Sequence, residues 1–205
     1  TGTFTISSNP SYISTTPVNA TGMGGWQIGA TASTPKFFVG DGSTNTAGNY
    51  SLGTGTATER ALGAIASGTT VSNLGIVLKN TTTDVLTNVT ITFTGEQWRR
   101  GSGAANVLSF KYSVGGSDLL TGTFTSEPLL NFTSPVTSGT DVALNGNVAP
   151  NRTAVSASIV LNANWLPGQT LVLRWDDAND GGNDDMLAID DFTFVATGPT
   201  TPTIQ

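Results

Sequence analysis

The chain has 205 residues, of which 37% are hydrophobic and 11% charged, with a formal net charge of −6 and neither Cys nor His. That length suffices for one domain with a real core, or two small ones. The missing residue types exclude disulfides, thiolate or imidazole metal sites, and Ser-His-Asp or Cys-His catalysis.

The chain opens at Thr1 without Met or a signal peptide, so it reads as a mature or excised product. Thr and Ser supply 53 of its residues. Such an uncharged polar surface points to a secreted, extracellular protein. From Thr1 to Ser8, Phe4 and Ile6 alternate with Thr3, Thr5 and Ser7, a strand with no charge to blunt pairing. Such a segment suits strand addition onto another copy. Further along, Val89, Ile91 and Phe93 alternate with Thr90, Thr92 and Thr94. Leu108 to Val114, Val155 to Leu161 and Leu171 to Trp175 repeat that period of two. Turn clusters separate the runs, among them Gly40-Asp41-Gly42-Ser43, Gly101-Ser102-Gly103, Gly115-Gly116-Ser117 and Asn145-Gly146-Asn147. Helical periodicity is nearly absent. The pattern predicts ten to twelve strands in an all-β, two-sheet antiparallel β-sandwich of jelly-roll type. Residues 1–196 read as one domain and 197–205 as a Pro/Thr-rich tail or linker.

Charge is uneven. Residues 175–205 carry −7, whereas the rest of the chain carries +1. Asp176, Asp177, Asp180, Asp184 and Asp185 are interleaved with Asn179, Asn183, Gly181 and Gly182, and Asp190 and Asp191 follow. Carboxylates this dense repel unless solvated or neutralised. A hard cation bound by six to eight oxygens supplies the neutralisation, and calcium fits best. The expected ligands are Asp177, Asn179, Asp180, Asp184 and Asp185, with Asp190 or Asp191 on the last strand. The spacing is not an EF-hand, because Ala188 stands where a bidentate Glu belongs. A solvated acidic hairpin tip is the other reading. Asp190 is expected on the core-facing side with Ala188, Phe192 and Phe194, where a carboxylate needs a partner.

Paired carboxylates are the only hydrolytic chemistry this composition allows. Glu59 precedes Arg60 and Glu96 lies near Arg99, so ion pairing is expected there rather than catalysis. Trp98 is in phase with Thr92, Thr94 and Glu96, on the face opposite Ile91 and Phe93. An exposed Trp98 flanked by Glu96 and Arg99 would offer a stacking platform for a sugar; a covering loop would remove it. Expected partners are an extracellular glycan or cell-surface polymer, or copies of the chain itself. Nucleic acid is not expected, because no Lys/Arg cluster exists. Nor is membrane insertion, because no apolar run approaches about 18 residues.

Several segments together resemble a widespread bacterial extracellular domain that accompanies secreted nucleases and adhesins. They are Gly40-Asp-Gly-Ser-Thr-Asn-Thr, Glu59-Arg-Ala-Leu-Gly, Thr94-Gly-Glu-Gln-Trp-Arg99, Trp175-Asp-Asp-Ala-Asn-Asp and Ala188-Ile-Asp-Asp-Phe192. The resemblance spans residues 25–196. The closing Ile-Asp-Asp-Phe is also similar to MAM-type adhesion domains and to calcium-bearing jelly-roll carbohydrate-binding modules. It implies a structural calcium held by a last-strand Asp and an acid near the N-terminus. Residues 8–12 lack that acid, which leaves Asp41 as its substitute. The resulting expectation is a secreted, non-catalytic, calcium-stabilised adhesion or carbohydrate-binding module. A self-assembling subunit of a filament or surface layer is the second expectation, and an accessory domain of a secreted nuclease the third.

Overall fold

A computed structural model describes residues 18–19, 26–31 and 36–199, so the expectation for Thr1–Ser8 falls outside the described residues. The first sheet comprises β1 (Val18–Asn19), β2 (Trp26–Thr31), β6 (Val71–Lys79), β13 (Thr170–Asp177), β8 (Val107–Val114) and β10 (Phe132–Thr133), in that spatial order. The short β9 (Thr125–Ser126) also pairs with β8. The second sheet runs β11 (Val142–Ala143), β7 (Leu86–Arg100), β14 (Met186–Thr197), β5 (Ala61–Ile65), β4 (Gly48–Leu52) and β3 (Phe37–Gly40), with β12 (Arg152–Trp165) beside β7. Two stacked sheets without an α-helix among the described residues are the all-β sandwich expected. The antiparallel expectation is departed from at one edge, where β3 pairs with β4 in parallel.

Period two explains the core. On β7, Val89, Ile91 and Phe93 are buried, while Thr90 and Thr92 face outward and bond Ser158 and Ser156 of β12 at 2.8 Å each. On β13, Leu171, Leu173 and Trp175 are buried between the sheets. The Trp175 ring meets Trp26, Phe93, Phe110 and Phe192 at centroid distances of 6.1, 5.4, 5.0 and 6.0 Å. Such aromatic pairs contribute about 0.5–1.5 kcal/mol each beyond area burial.

Alternation fails on β14. Asp190 pairs with Thr94, but Thr193 pairs with Thr92, so β14 carries an extra residue there. Asp191 occupies that bulge with φ +49°. The bulge resets the phase, as bulges do. Leu187 and Ile189 point into the core, as do Phe192 and Phe194, while Ala188 packs in a second apolar cluster on the other side of the sheet. Asp190 therefore does not share the core face with Phe192 and Phe194, contrary to expectation.

That second cluster joins Trp98, Tyr50, Leu52, Ile65, Met186 and Ala188 on the outer face of the second sheet. Two loops fasten over it. Arg99 Nη1 donates to Gly42 O at 3.0 Å, and Leu144 N–H donates to Trp98 O at 2.8 Å. Gly146 lies so close to the Trp98 indole that a Cβ there would stand 2.4 Å from Nε1.

Candidate functional site

The expected sugar platform is not formed. Trp98 is 0% exposed, Glu96 is 0% exposed, and the indole Nε1–H donates to Glu96 Oε2 at 3.0 Å. Arg99 is also buried, and Asp141 neutralises it at 2.5 Å. The predicted phase of Trp98 was right. The loops carrying Gly42 and Gly146 cover that face, so no ring is available for stacking.

The acidic run divides among several environments. Asp176 faces out from the first sheet. Asp185 is buried and its Oδ1 takes Arg100 Nη1 at 3.1 Å and Gly101 N–H at 2.6 Å. Asp191 pairs with Arg152 at 3.2 Å. Asp190 lies beside Glu59 and Glu96 on the second sheet; burial first, then the Glu59 interaction, pushes its carboxyl up to about 8. Asp41 sits in an exposed turn, where the Ser43 side chain first and the Ser43 N–H at 3.0 Å second hold its carboxyl below the usual range. The single cage expected from Asp41, Asp190 and the loop acids together is therefore not assembled. Among the described residues, no three acidic side chains converge in a metal-holding geometry.

Asp177, Asp180 and Asp184 remain at the base of the β13–β14 loop. Asp180 Oδ2 accepts Asn106 Nδ2 at 2.7 Å, and its N–H donates to Asp184 Oδ1 at 2.9 Å. Asn179 is exposed and donates to Asp180 O at 3.2 Å. Asp177 is 0% exposed, and neither of its oxygens has a hydrogen-bond partner, although the Ala66 N–H faces it. Burial first, then the Asp184 charge, lifts its carboxyl well above the ordinary range. Burial also lifts Asp184 to about 6, against the pull of the Asp180 N–H.

A cleft over the first sheet was missed from the sequence. It follows from the same alternation, since Arg174 and Asp176 flank inward-facing Trp175 and Lys111 flanks inward-facing Phe110. Register places Arg174 opposite Lys111 and Asp176 opposite both Ser109 and Asn73. Asp176 Oδ1 accepts Asn73 Nδ2 at 2.6 Å and its Oδ2 accepts Arg174 Nη2 at 3.0 Å, while Lys111 Nζ pairs with Oδ2 at 2.9 Å. Arg174 Nη1 donates to Leu119 O at 2.6 Å, and its guanidinium lies 3.8 Å over the Phe124 ring. A cavity of about 500 Å³ opens here, lined by Ser109, Lys111, Ser126, Asn131, Arg174 and Asp176 among others. Asn-x-Ser/Thr sequons occur at Asn19, Asn49, Asn80, Asn88, Asn131 and Asn151, and of these Asn49, Asn80 and Asn151 are buried in the folded chain.

No family model and no curated protein sequence matches the chain. Several solved structures align with it at low TM-scores. TmCBM61, in complex with β-1,4-galactotriose, aligns with TM-score 0.41 and 13% identity over 84% of this chain and 88% of that one. The CBM22-1 xylan-binding domain of Paenibacillus barcinonensis Xyn10C aligns with TM-score 0.40 and 10% identity over 95% and 100%. The enzymatically active domain of bacteriophage CBA120 tailspike protein 4 aligns with TM-score 0.40 and 7% identity over 84% of this chain but 19% of the tailspike chain.

Proposed function

We propose that the protein is a non-catalytic glycan-binding module of a secreted protein, taking oligosaccharide in the cleft over the first sheet. The observation that supports this reading is the Lys111–Asp176–Arg174 array beside the Phe124 ring. With Ser109, Ser126 and Asn131 and the apolar Val71 and Pro128 it lines one open wall, the small set of placed polar groups by which a pocket fixes a ligand's orientation. Hydroxyl-rich ligands are recognised by such donors and acceptors, and charge-assisted hydrogen bonds are the strong ones. Catalysis is disfavoured because Asp176, the cleft's acid, has both oxygens engaged. Glu96 and Asp190, whose carboxyls are raised, are buried on the opposite sheet. In this role the module tethers its protein to a cell-surface or matrix polymer.

The test is affinity electrophoresis and calorimetry against a panel of soluble neutral and uronate-bearing polysaccharides. Wild type should bind at least one, Lys111→Met should weaken that binding tenfold or more, and Trp98→Phe should leave it unchanged. Binding to none of the panel would overturn the reading.

One observation favours a second reading, self-association. On β12, residues 153–164 carry no charge, and among the described residues β12 pairs only with β7. Val160 is 74% exposed on it. An uncharged open edge is a template for another strand. Sedimentation velocity over a concentration series tests this, with Val160→Lys expected to reduce association. A concentration-independent monomer would remove the reading.

A further inference from the structure

We propose that Asp177 and Asp184 hold a divalent cation of calcium type at the base of the β13–β14 loop. The starting point is Asp177, the last residue of β13, which is 0% exposed and has no hydrogen-bond partner at either oxygen. It has no ion pair among the described residues. An ionised carboxylate sealed in this way is costly unless something positive compensates it.

The basic residues nearby are committed elsewhere. Arg100 serves Asp185 and the carbonyls of Gly103 and Thr137. Lys111 and Arg174 serve Asp176, and Arg99 serves Asp141. No Lys or Arg follows Arg174 in the sequence.

The second ligand is Asp184, 5% exposed, whose Oδ2 also lacks a hydrogen-bond partner. Its Oδ1 is steadied by the Asp180 N–H at 2.9 Å. Asp184 and Ala66, the residue whose N–H faces Asp177, both line a cavity of about 130 Å³. Asn45, Ser67, Asn179 and Asn183 add amide and hydroxyl oxygens to that lining, beside Ile65 and Gly182. Two carboxylates with neutral oxygens and water make up the six to eight oxygens calcium takes, at 2.3–2.6 Å. Magnesium, which demands a tighter octahedron, fits this mixed shell less well. Only two carboxylates contribute, because Asp185 belongs to Arg100, so the affinity should be modest.

This is not the last-strand site that the resemblance implies, for Asp190 lies with Glu59 and Glu96 instead. Nor does it depend on glycan binding.

The whole chain, stripped with EDTA and dialysed at fixed ionic strength, is titrated with calcium chloride alone by calorimetry and by thermal melting. Wild type should bind calcium saturably and melt at a higher temperature when loaded, because an ion bound only to the folded state stabilises it by mass action. Asp177→Asn should abolish both the heat and the shift while melting above metal-free wild type, since it removes the uncompensated charge. Asp184→Asn should weaken calcium binding at least tenfold, and Asp191→Asn should leave it unchanged. Should Asp177→Asn fail to fold, the wild-type and Asp184→Asn titrations decide the matter. No heat and no shift in wild type at millimolar calcium would overturn the proposal and leave Asp177 as a protonated acid. Binding that survives both Asp177→Asn and Asp184→Asn would overturn it as well.

Discussion

The Trp98 indole donates its N–H to Glu96 Oε2 across 3.0 Å, and both side chains are sealed from solvent. The other oxygen, Oε1, has no hydrogen bond and only Arg152 Nη2 at 3.6 Å. Burial is the dominant influence on Glu96, pushing its carboxyl from 4.5 up to about 7, while the Trp98 bond and Arg152 pull the other way. A proton is therefore held more tightly in the folded chain than in the unfolded one. Its stabilising contribution is complete below pH 4.5 and is lost as pH rises to about 7. The loss amounts to about 3 kcal/mol at one pH unit per 1.36 kcal/mol. Glu96→Gln keeps an acceptor for the indole and cannot ionise. The difference in unfolding free energy between Glu96→Gln and wild type should grow in the variant's favour between pH 5 and 8, as read by urea denaturation. A constant difference would show Glu96 ionised throughout.

Trp98 itself is a core residue of a secondary layer. Trp98→Ala should cost about 3–5 kcal/mol, the usual range for emptying an aromatic site. Trp98→Phe should cost less but leaves Glu96 Oε2 without its donor, for about 1–3 kcal/mol. Equilibrium unfolding gives both numbers, and polysaccharide binding measured below the transition should not change.

How far these sites were legible depends on distance along the chain. The phase of Trp98 can be counted from Thr92 and Thr94, but its covering comes from residues near Gly42 and Gly146, roughly fifty positions away on either side. Non-local loop packing leaves no periodic trace. The β14 bulge is equally silent, because Asp190 and Asp191 look alike while Asp191 alone takes φ +49°. The buried Asp177 was legible. Leu171, Leu173 and Trp175 face inward, so the next inward position is Asp177, and Arg174 and Asp176 must then face the cleft. The density of charge drew attention to a cage, whereas the strand's own alternation separates neighbouring acids to opposite sides.

Gly42 tests how tightly the covering loop is drawn onto Trp98. Its φ is +86°, and a Cβ there would stand 1.8 Å from Trp98 O. Gly55 also has positive φ, +53°, but a Cβ would meet nothing within 4 Å. Gly55→Ala should therefore cost about 1–2 kcal/mol, the left-handed backbone penalty alone. Gly42→Ala adds displacement of the loop and should cost visibly more, exposing Trp98. Tryptophan fluorescence should shift to the red in Gly42→Ala and not in Gly55→Ala; equal behaviour would mean the loop is not seated on Trp98.

Asp176 holds the cleft together by neutralising two cations. Its side chain is 8% exposed, that of Arg174 13% and that of Lys111 32%. Removing one partner of a buried pair costs about 3–5 kcal/mol because the other charge stays uncompensated. Here the partial exposure of Lys111 moderates that figure, so Asp176→Ala should cost about 2–3 kcal/mol. Lys111→Met leaves Asp176 with Arg174 and Asn73 and retains the apolar stem, so its cost should stay below about 1 kcal/mol, as for a surface ion pair. The two substitutions thus separate support from contact. Asp176→Ala should lower stability and glycan affinity together, whereas Lys111→Met should lower affinity with stability preserved. If Lys111→Met instead unfolds the chain as readily as Asp176→Ala while binding persists, the array is a structural brace and the glycan must lie elsewhere.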